Sequence, residues 1–290
     1  MITENDIGVL LALFEYYVLT RVQIQGLLFP GHQTGRATRK RLAKLFHHGY
    51  IGKSKASIPI GSAAAVSPVY YLAKAGAEAL ATYFDDESYA SANTRKPRLD
   101  LLFHWVAISE FHIRISQAIA DQNDVKLLSW VNEWQVVNPK DANCHRFYLH
   151  TVLSEQPPLS CSPDAGFVLL VNGVAKVFYV EVDRNTSGIK QIAASKTPGY
   201  AELARRGLHK SKHFPMATFD DFSVLVLTSH EGRRNRLARK IADEPGASRW
   251  MFCTSEDLSP ETFLYEPIFV DCTGETRSIV KRPVELKSAV

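Results

Sequence analysis

Residues 163–183 read PDAGFVLLVNGVAKVFYVEVD. Two apolar runs, 164–171 and 175–183, flank Asn172-Gly173. Asn-Gly between such runs is a strong hairpin signal, because both residues tolerate the positive φ that a tight two-residue turn requires. Pairing across that turn brings residue 164 to the same end of the sheet as residue 181. Side chains alternate along a strand, so Glu181 and Asp183 point to one face and Val180 and Val182 to the other. Asp164, Glu181 and Asp183 are therefore expected to converge. Hard oxygen ligands of this kind suit Mg2+ or Mn2+. Such an ion would activate water and stabilise charge on a scissile phosphate.

Outward from the hairpin, the same half of the chain alternates helix and strand. LDLLFHWVAISEFHIRISQAIADQN, from Leu99, predicts a long apolar helix. Strands are expected over 126–137, 164–171, 175–183, 222–228 and 250–254, with helices over 187–206 and 231–243. Pro198 should start a new turn or kink the first of these helices. This order predicts an α/β sandwich around a mixed sheet. The half resembles the PD-(D/E)XK nuclease superfamily. Pro163-Asp164 matches its "PD", and Glu181-Val182-Asp183 stands where "(D/E)-x-K" belongs. The resemblance implies a catalytic set of Asp164, Glu181 and Asp183, with Asp183 in the place of a lysine that would orient the attacking water. An aspartate cannot supply that positive charge. Lys196 on the following helix is the expected substitute and Lys190 the second choice. Tyr200 lies one turn beyond Lys196 on the same helix face.

The first ninety residues have a different character. Between Glu15 and Glu78 there is no acidic residue but there are nine Lys and Arg. Residues 1–98 carry twelve Lys and Arg against seven Asp and Glu, whereas the rest of the chain carries 22 against 23. A basic surface confined to one segment points to a polyanionic partner. Helical periodicity covers 4–17. Thr20 is placed to cap a short helix RVQIQGLLF, which Pro30-Gly31 ends. A third helix is expected from about Thr34 to His48. At 100° per residue Thr38, Leu42, Leu45 and Phe46 share one side. Arg36, Arg39, Lys40, Lys44 and His47 share the other, around small Ala43. A helix of that kind can enter a DNA major groove. Strands over about 50–55 and 68–73, joined by a Gly/Ser/Ala-rich loop beside Lys53 and Lys55, then lead into another helix. Helices, a two-stranded wing and a helix resemble a winged helix-turn-helix, and the cadence of VYYLAKAG fits that type. Arg36 and Lys40 are the expected groove contacts. Arg39, Lys44, Lys53 and Lys55 are expected at phosphates, with Ser54 and Ser57 assisting at the wing. The alternatives are a solvated basic face and a winged helix used for protein contacts.

The polar stretch DDESYASANTRKPR separates the halves, giving an expected 1–90 DNA-binding domain, a 91–98 linker and a 99–290 nuclease-like domain. At 46% hydrophobic and 22% charged residues, the composition is that of ordinary globular protein. No apolar run approaches the roughly 18 residues a membrane span needs. The N-terminus lacks a basic n-region, so no secretory signal is expected. Four cysteines, Cys144, Cys161, Cys253 and Cys272, are widely spaced, which disfavours a zinc site or disulfide framework. A cytoplasmic protein is expected.

Taken end to end, the chain resembles the replication-relaxation family of plasmid and mobile-element proteins. The resemblance rests on VYYLAKAG, the helix carrying His104, PDAGFVLL, FYVEVDRNT and the Lys196 and Tyr200 pair. It implies a double-stranded DNA partner, replication or mobilisation proteins as further partners, and a nuclease-like second domain. Homodimerisation is expected by analogy with winged helices that bind paired half-sites. Three functions follow: a DNA-binding accessory protein, a Mg2+-dependent endonuclease or nickase, and a transcription regulator. The residues leave open whether the acidic site cuts. Glu110, His104 and His112 are read as helix-face or packing residues rather than ligands, and the four tryptophans as core. Arg184 is read equally as neutralising the acids or binding phosphate, and RRNRLARK (233–240) equally as a second DNA face or a solvated helix.

Overall fold

The computed structural model of the chain describes residues 2–31, 34–59, 66–137, 147–185 and 188–281, without the side chains of 55–59, 66 and 67. Two compact units divide it, Met1–Ile113 and Arg114–Val290.

The first unit runs α1 (Glu4–Tyr16), β1 (Val18–Thr20), α2 (Arg21–Leu28), α3 (Arg36–His47), β2 (Ile51–Pro59), β3 (Val66–Leu72) and α4 (Lys74–Phe84). Both early helices start on capping boxes. Thr3 and Asp6 exchange bonds at α1, and Thr20 and Gln23 do so at α2. Each box satisfies two backbone N–H groups that a helix start otherwise leaves open. The turn into α3 rests on Gly35, whose φ of +60° is open to glycine and strained for most other residues. Thr38, Leu42 and Leu45 are buried under α3 as its period predicts. Phe46 is not: it is 48% exposed, because it lies at the margin of the apolar stripe in the last turn. The three strands form one antiparallel sheet in the order β1-β3-β2. β1 is too short for periodicity to reveal.

Beyond α4 the chain packs back on this unit. Tyr89 sets its ring 4.8 Å from Phe14 and 5.1 Å from Phe84. The division falls later, inside α5 (Leu102–Ile119). The early turns of α5 are held to the first unit by polar bonds. Ser109 Oγ donates to carbonyls including those of Tyr16 and Val18, at 3.0 Å each, and Gln23 Nε2 donates to the Val106 carbonyl at 3.2 Å.

The second unit adds β4 (Val125–Asn132), β5 (Thr151–Glu155), β6 (Pro158–Cys161), β7 (Ala165–Val171), β8 (Val174–Val182), α6 (Ile189–Arg205), β9 (Phe222–Thr228), α7 (Glu231–Ile241), β10 (Trp250–Thr254), β11 (Phe269–Asp271) and β12 (Thr276–Arg277). Seven strands form a mixed sheet in the order β12-β11-β10-β9-β8-β7-β4. β8, β9 and β10 run parallel, and the other pairs are antiparallel. The β7–β8 turn is Asn172-Gly173 at φ 48° and 83°, as the sequence predicts. The predicted strand over 126–137 stops at Asn132. Pro198 lies within one continuous helix, α6. The core contains Tyr179, Tyr200, Phe214, Phe222 and Trp250. Trp105 and Trp250 are buried, whereas Trp130 and Trp134 are half-buried. Cys161, Cys253 and Cys272 are free thiols, and Cys144 lies outside the described residues. Among the described residues, no helix is long and apolar enough to cross a membrane.

α6 approaches the β5–β6 hairpin at Gly199. A Cβ there would stand 2.6 Å from the backbone carbonyl oxygen of Ser160. Backbone cannot move aside like a side-chain tip, so Gly199→Ala should destabilise the protein by about 1–3 kcal/mol. Urea unfolding checks this, and an unchanged midpoint would contradict the close approach.

Candidate functional site

The β7–β8 hairpin delivers two of its three carboxylates to one place. The register pairs Ala165 with Val180, so Asp164 stands beside the end of β8. Asp164 Oδ2 accepts from the Val182 N–H at 2.7 Å, which fixes the carboxylate. Glu181 faces α6. Its Oε1 accepts from the Tyr200 hydroxyl at 2.7 Å, and its Oε2 lies 2.8 Å from Lys196 Nζ. The same ammonium lies 3.8 Å from Asp164 Oδ1 and donates to the Ser162 carbonyl at 3.0 Å. Lys196 thus reaches both acids. Lys190, on the first turn of α6, is exposed.

Asp183, expected to join them, is committed to α7. Arg233 Nε and Nη2 donate to its two oxygens at 2.6 and 3.0 Å. Both side chains are 5% exposed. Strand phase puts Asp183 on the helix-covered face, but the partner it meets there is a buried arginine. Glu133, unremarked in the sequence, follows β4 and has a carboxylate oxygen within 4.8 Å of one on Asp164. The register Asn132↔Ala165 places it there, and no local pattern in the sequence announces that pairing. Glu110 accepts from Gln23 Nε2 at 2.9 Å in the first unit. His112 is buried against Tyr16, and burial lowers its pKa to about 3, so it is neutral.

Electrostatics separate the roles in this cluster. Burial and the Asp164 charge push Glu181 up to about 7, against the opposing effects of Lys196 and Tyr200. Burial alone would lower Lys196, but Glu181 and Asp164 outweigh it and keep the ammonium charged. Burial and Glu181 raise Tyr200 well above the ordinary phenol range, so it remains a donor. Between the ordinary glutamate value of 4.5 and about 7, the folded protein holds a proton on Glu181 that the unfolded chain releases. This contribution to stability is full below 4.5 and is lost as pH rises through about 7. Glu181→Gln should therefore gain stability relative to the parent as pH is raised across that window. Denaturation at a series of pH values checks it, and a difference independent of pH would contradict it.

The first unit carries the second candidate surface. Arg36, Arg39, Lys40, Ala43, Lys44 and His47 are all exposed along α3, and Lys53 is exposed on β2. Arg41, between them in sequence, instead bonds Asp6 at 2.7 Å and ties α3 to α1. Lys44 lies 3.7 Å from the same carboxylate. Ser54 is buried and so does not line the surface of the hairpin. The side chains of Lys55 and Ser57 lie outside the described residues. The basic run on α7 is divided: Arg233 is buried on Asp183, Arg234 bonds Glu231 and Asp257, Lys240 lies 3.5 Å from Glu244, and Arg236 and Arg239 are exposed. Arg184 is exposed.

A family model described as replication-relaxation matches residues 10–216, about seven-tenths of the chain. The matched span includes α3, Asp164, Glu181 and Lys196. No curated protein and no solved structure matches the chain.

Proposed function

From the premise that the chain belongs to the replication-relaxation family, we propose that it is a DNA-binding accessory protein of a plasmid or mobile element. It would act in replication, relaxation or mobilisation and recognise double-stranded DNA. The observation that carries this reading is the exposed basic face of α3, with Arg36, Arg39, Lys40, Lys44 and His47 around Ala43. Small and basic residues on one helix face allow close approach to base edges, with flanking cations at phosphates. The order of three helices, a hairpin and a fourth helix supports reading the first unit as a winged helix-turn-helix. Lys53 would then reach the phosphate backbone from the wing. A homodimer, and replication or mobilisation proteins as partners, belong to the same proposal. Duplex binding by the parent chain and by the Arg36→Glu/Lys40→Glu variant tests it. Equal affinity of the two would remove α3 from the account.

A second reading is favoured by the acidic cluster. The mixed sheet, with Asp164 just before β7, Glu181 on the adjacent β8 and Lys196 on the next helix, supports a PD-(D/E)XK-like unit. The donors are of the kind a hard divalent cation takes: the carboxylates of Asp164 and Glu133, which approach one another, and that of Glu181, held by Lys196 and Tyr200. When bound, Mg2+ or Mn2+ would polarise water and a phosphate oxygen. Tyr200 would hold the Glu181 rotamer. Lys196 would supply the positive charge that Asp183, paired to Arg233, does not. This is a metal-dependent endonuclease or nickase aimed by the first unit. Supercoiled plasmid incubated with the protein and Mn2+ should become open-circular, and Asp164→Ala should abolish the conversion. Conversion that persists in that variant would exclude the site.

A further inference from the structure

The acidic pair poses an electrostatic problem that the neighbouring hairpin addresses. A phosphodiester approaching Asp164 and Glu181 meets charge of its own sign. Binding there needs donors on the rim of the site. The β5–β6 hairpin supplies them where its chain enters and leaves. His150 precedes β5 and Ser162 follows β6, and both are exposed. The His150 Nδ1 and Ser162 Oγ lie 2.7 Å apart. Ser162 also touches the acidic cluster directly, because its carbonyl accepts from Lys196 Nζ at 3.0 Å. On the other side, Lys212 Nζ donates to the His150 carbonyl at 3.1 Å and to Thr151 Oγ1 at 2.9 Å.

We propose that His150 and Ser162, braced by Lys212, form a phosphodiester-binding rim over the acidic pair. The inference rests on reading that pair as a phosphodiester-processing site. With Nδ1 engaged by Ser162, the ring direction left for a ligand is Nε2, which has no partner among the described residues. Its N–H can donate to a non-bridging phosphate oxygen. The Ser162 hydroxyl gives its one hydrogen to Nδ1 and so holds the ring in the tautomer that carries its N–H at Nε2. The positive charges of Lys196 and Lys212 stand on either side of this pair in the chain of contacts and offset the repulsion from Glu181 and Asp164. His213 offers a contrast within the same unit. Both its ring nitrogens are engaged, by Tyr179 at 2.7 Å and Thr151 at 2.9 Å, and it is buried.

Side-chain nitrogen NMR of the histidines in the full-length chain tests the proposal, with dimethyl phosphate as the diester probe and inorganic phosphate as the competitor source. The His150 signals should move with dimethyl phosphate while those of His213 stay fixed. Ser162→Ala should weaken the response roughly fivefold, the size of one lost hydrogen bond. His150→Gln, which keeps a donor, should weaken binding less than His150→Ala. An unmoved His150, a response to inorganic phosphate alone, or a response unchanged in Ser162→Ala would overturn it. Mn2+ binding by calorimetry, with Asp164→Ala as its control, separates this outcome from the parent reading. Metal bound without a His150 response sinks the rim and leaves the acidic site standing. A His150 response without metal binding does the reverse.

Discussion

Reversing Arg36 and Lys40 together should weaken duplex binding by about 100-fold or more. A side chain at a base edge contributes about 1–3 kcal/mol, and each 1.4 kcal/mol is tenfold in affinity. Two such contacts, replaced by charges that repel the phosphates, give at least that loss. The geometry of α3 distinguishes its cations. Arg39 is read as a phosphate contact, and on that reading Arg39→Ala should weaken binding evenly across sequences. Lys44 is partly neutralised by Asp6 at 3.7 Å. Lys44→Met should therefore reduce the salt dependence by less than one full phosphate contact. Arg41 is spent on Asp6, so Arg41→Ala should act through stability instead. Fluorescence anisotropy with a labelled duplex measures the first three effects. An Arg36→Glu/Lys40→Glu variant that binds like the parent would place the DNA contact elsewhere.

Asp183→Ala should destabilise the protein by about 3–5 kcal/mol, the usual consequence of removing one member of a buried ion pair. Arg233 would keep its charge at 5% exposure with neither of the two carboxylate oxygens it now bonds. Replacing both partners, as Asp183→Leu with Arg233→Met, should recover much of that loss because the two buried charges are removed together. Urea unfolding of the single and double variants measures the coupling. The result also assigns the third carboxylate of the hairpin. If Asp183 acts chiefly on a metal, the single variant will lose metal affinity while its unfolding midpoint stays near that of the parent.

Much of this arrangement was legible in the sequence because it is carried by local patterns. The β9 and β10 runs are largely apolar segments bounded by polar residues, and their observed limits coincide with the predicted ones. Asn172-Gly173 fixed the hairpin, and the hairpin fixed which end of the sheet Asp164 would share with Glu181. Lys196 and Tyr200 were readable from spacing, since four residues on a helix place both side chains over the same acid. Features that depend on distant partners were not readable. Strand phase gave Asp183 its face, but nothing near it in sequence indicated that Arg233 would meet it there. Glu133 sits just past β4 and gains its position from pairing with a strand some thirty residues on. β1, β11 and β12 are two or three residues long, below the length at which alternation carries information. The polar composition of 85–98 gave no sign that Tyr89 and Ala92 would pack against the core of the first unit.

The central claim is that the exposed basic face of the first unit binds duplex DNA through its phosphates and base edges. The most direct measurement is the affinity of the full chain for a duplex between about 50 and 200 mM salt, because each neutralised phosphate contributes about −0.9 to the slope of log K against log salt. Phosphate contacts from Arg39, Lys53 and a partly neutralised Lys44 predict a slope of about −2 to −3. No binding at the lowest salt, or an affinity that does not change with salt, would contradict the account.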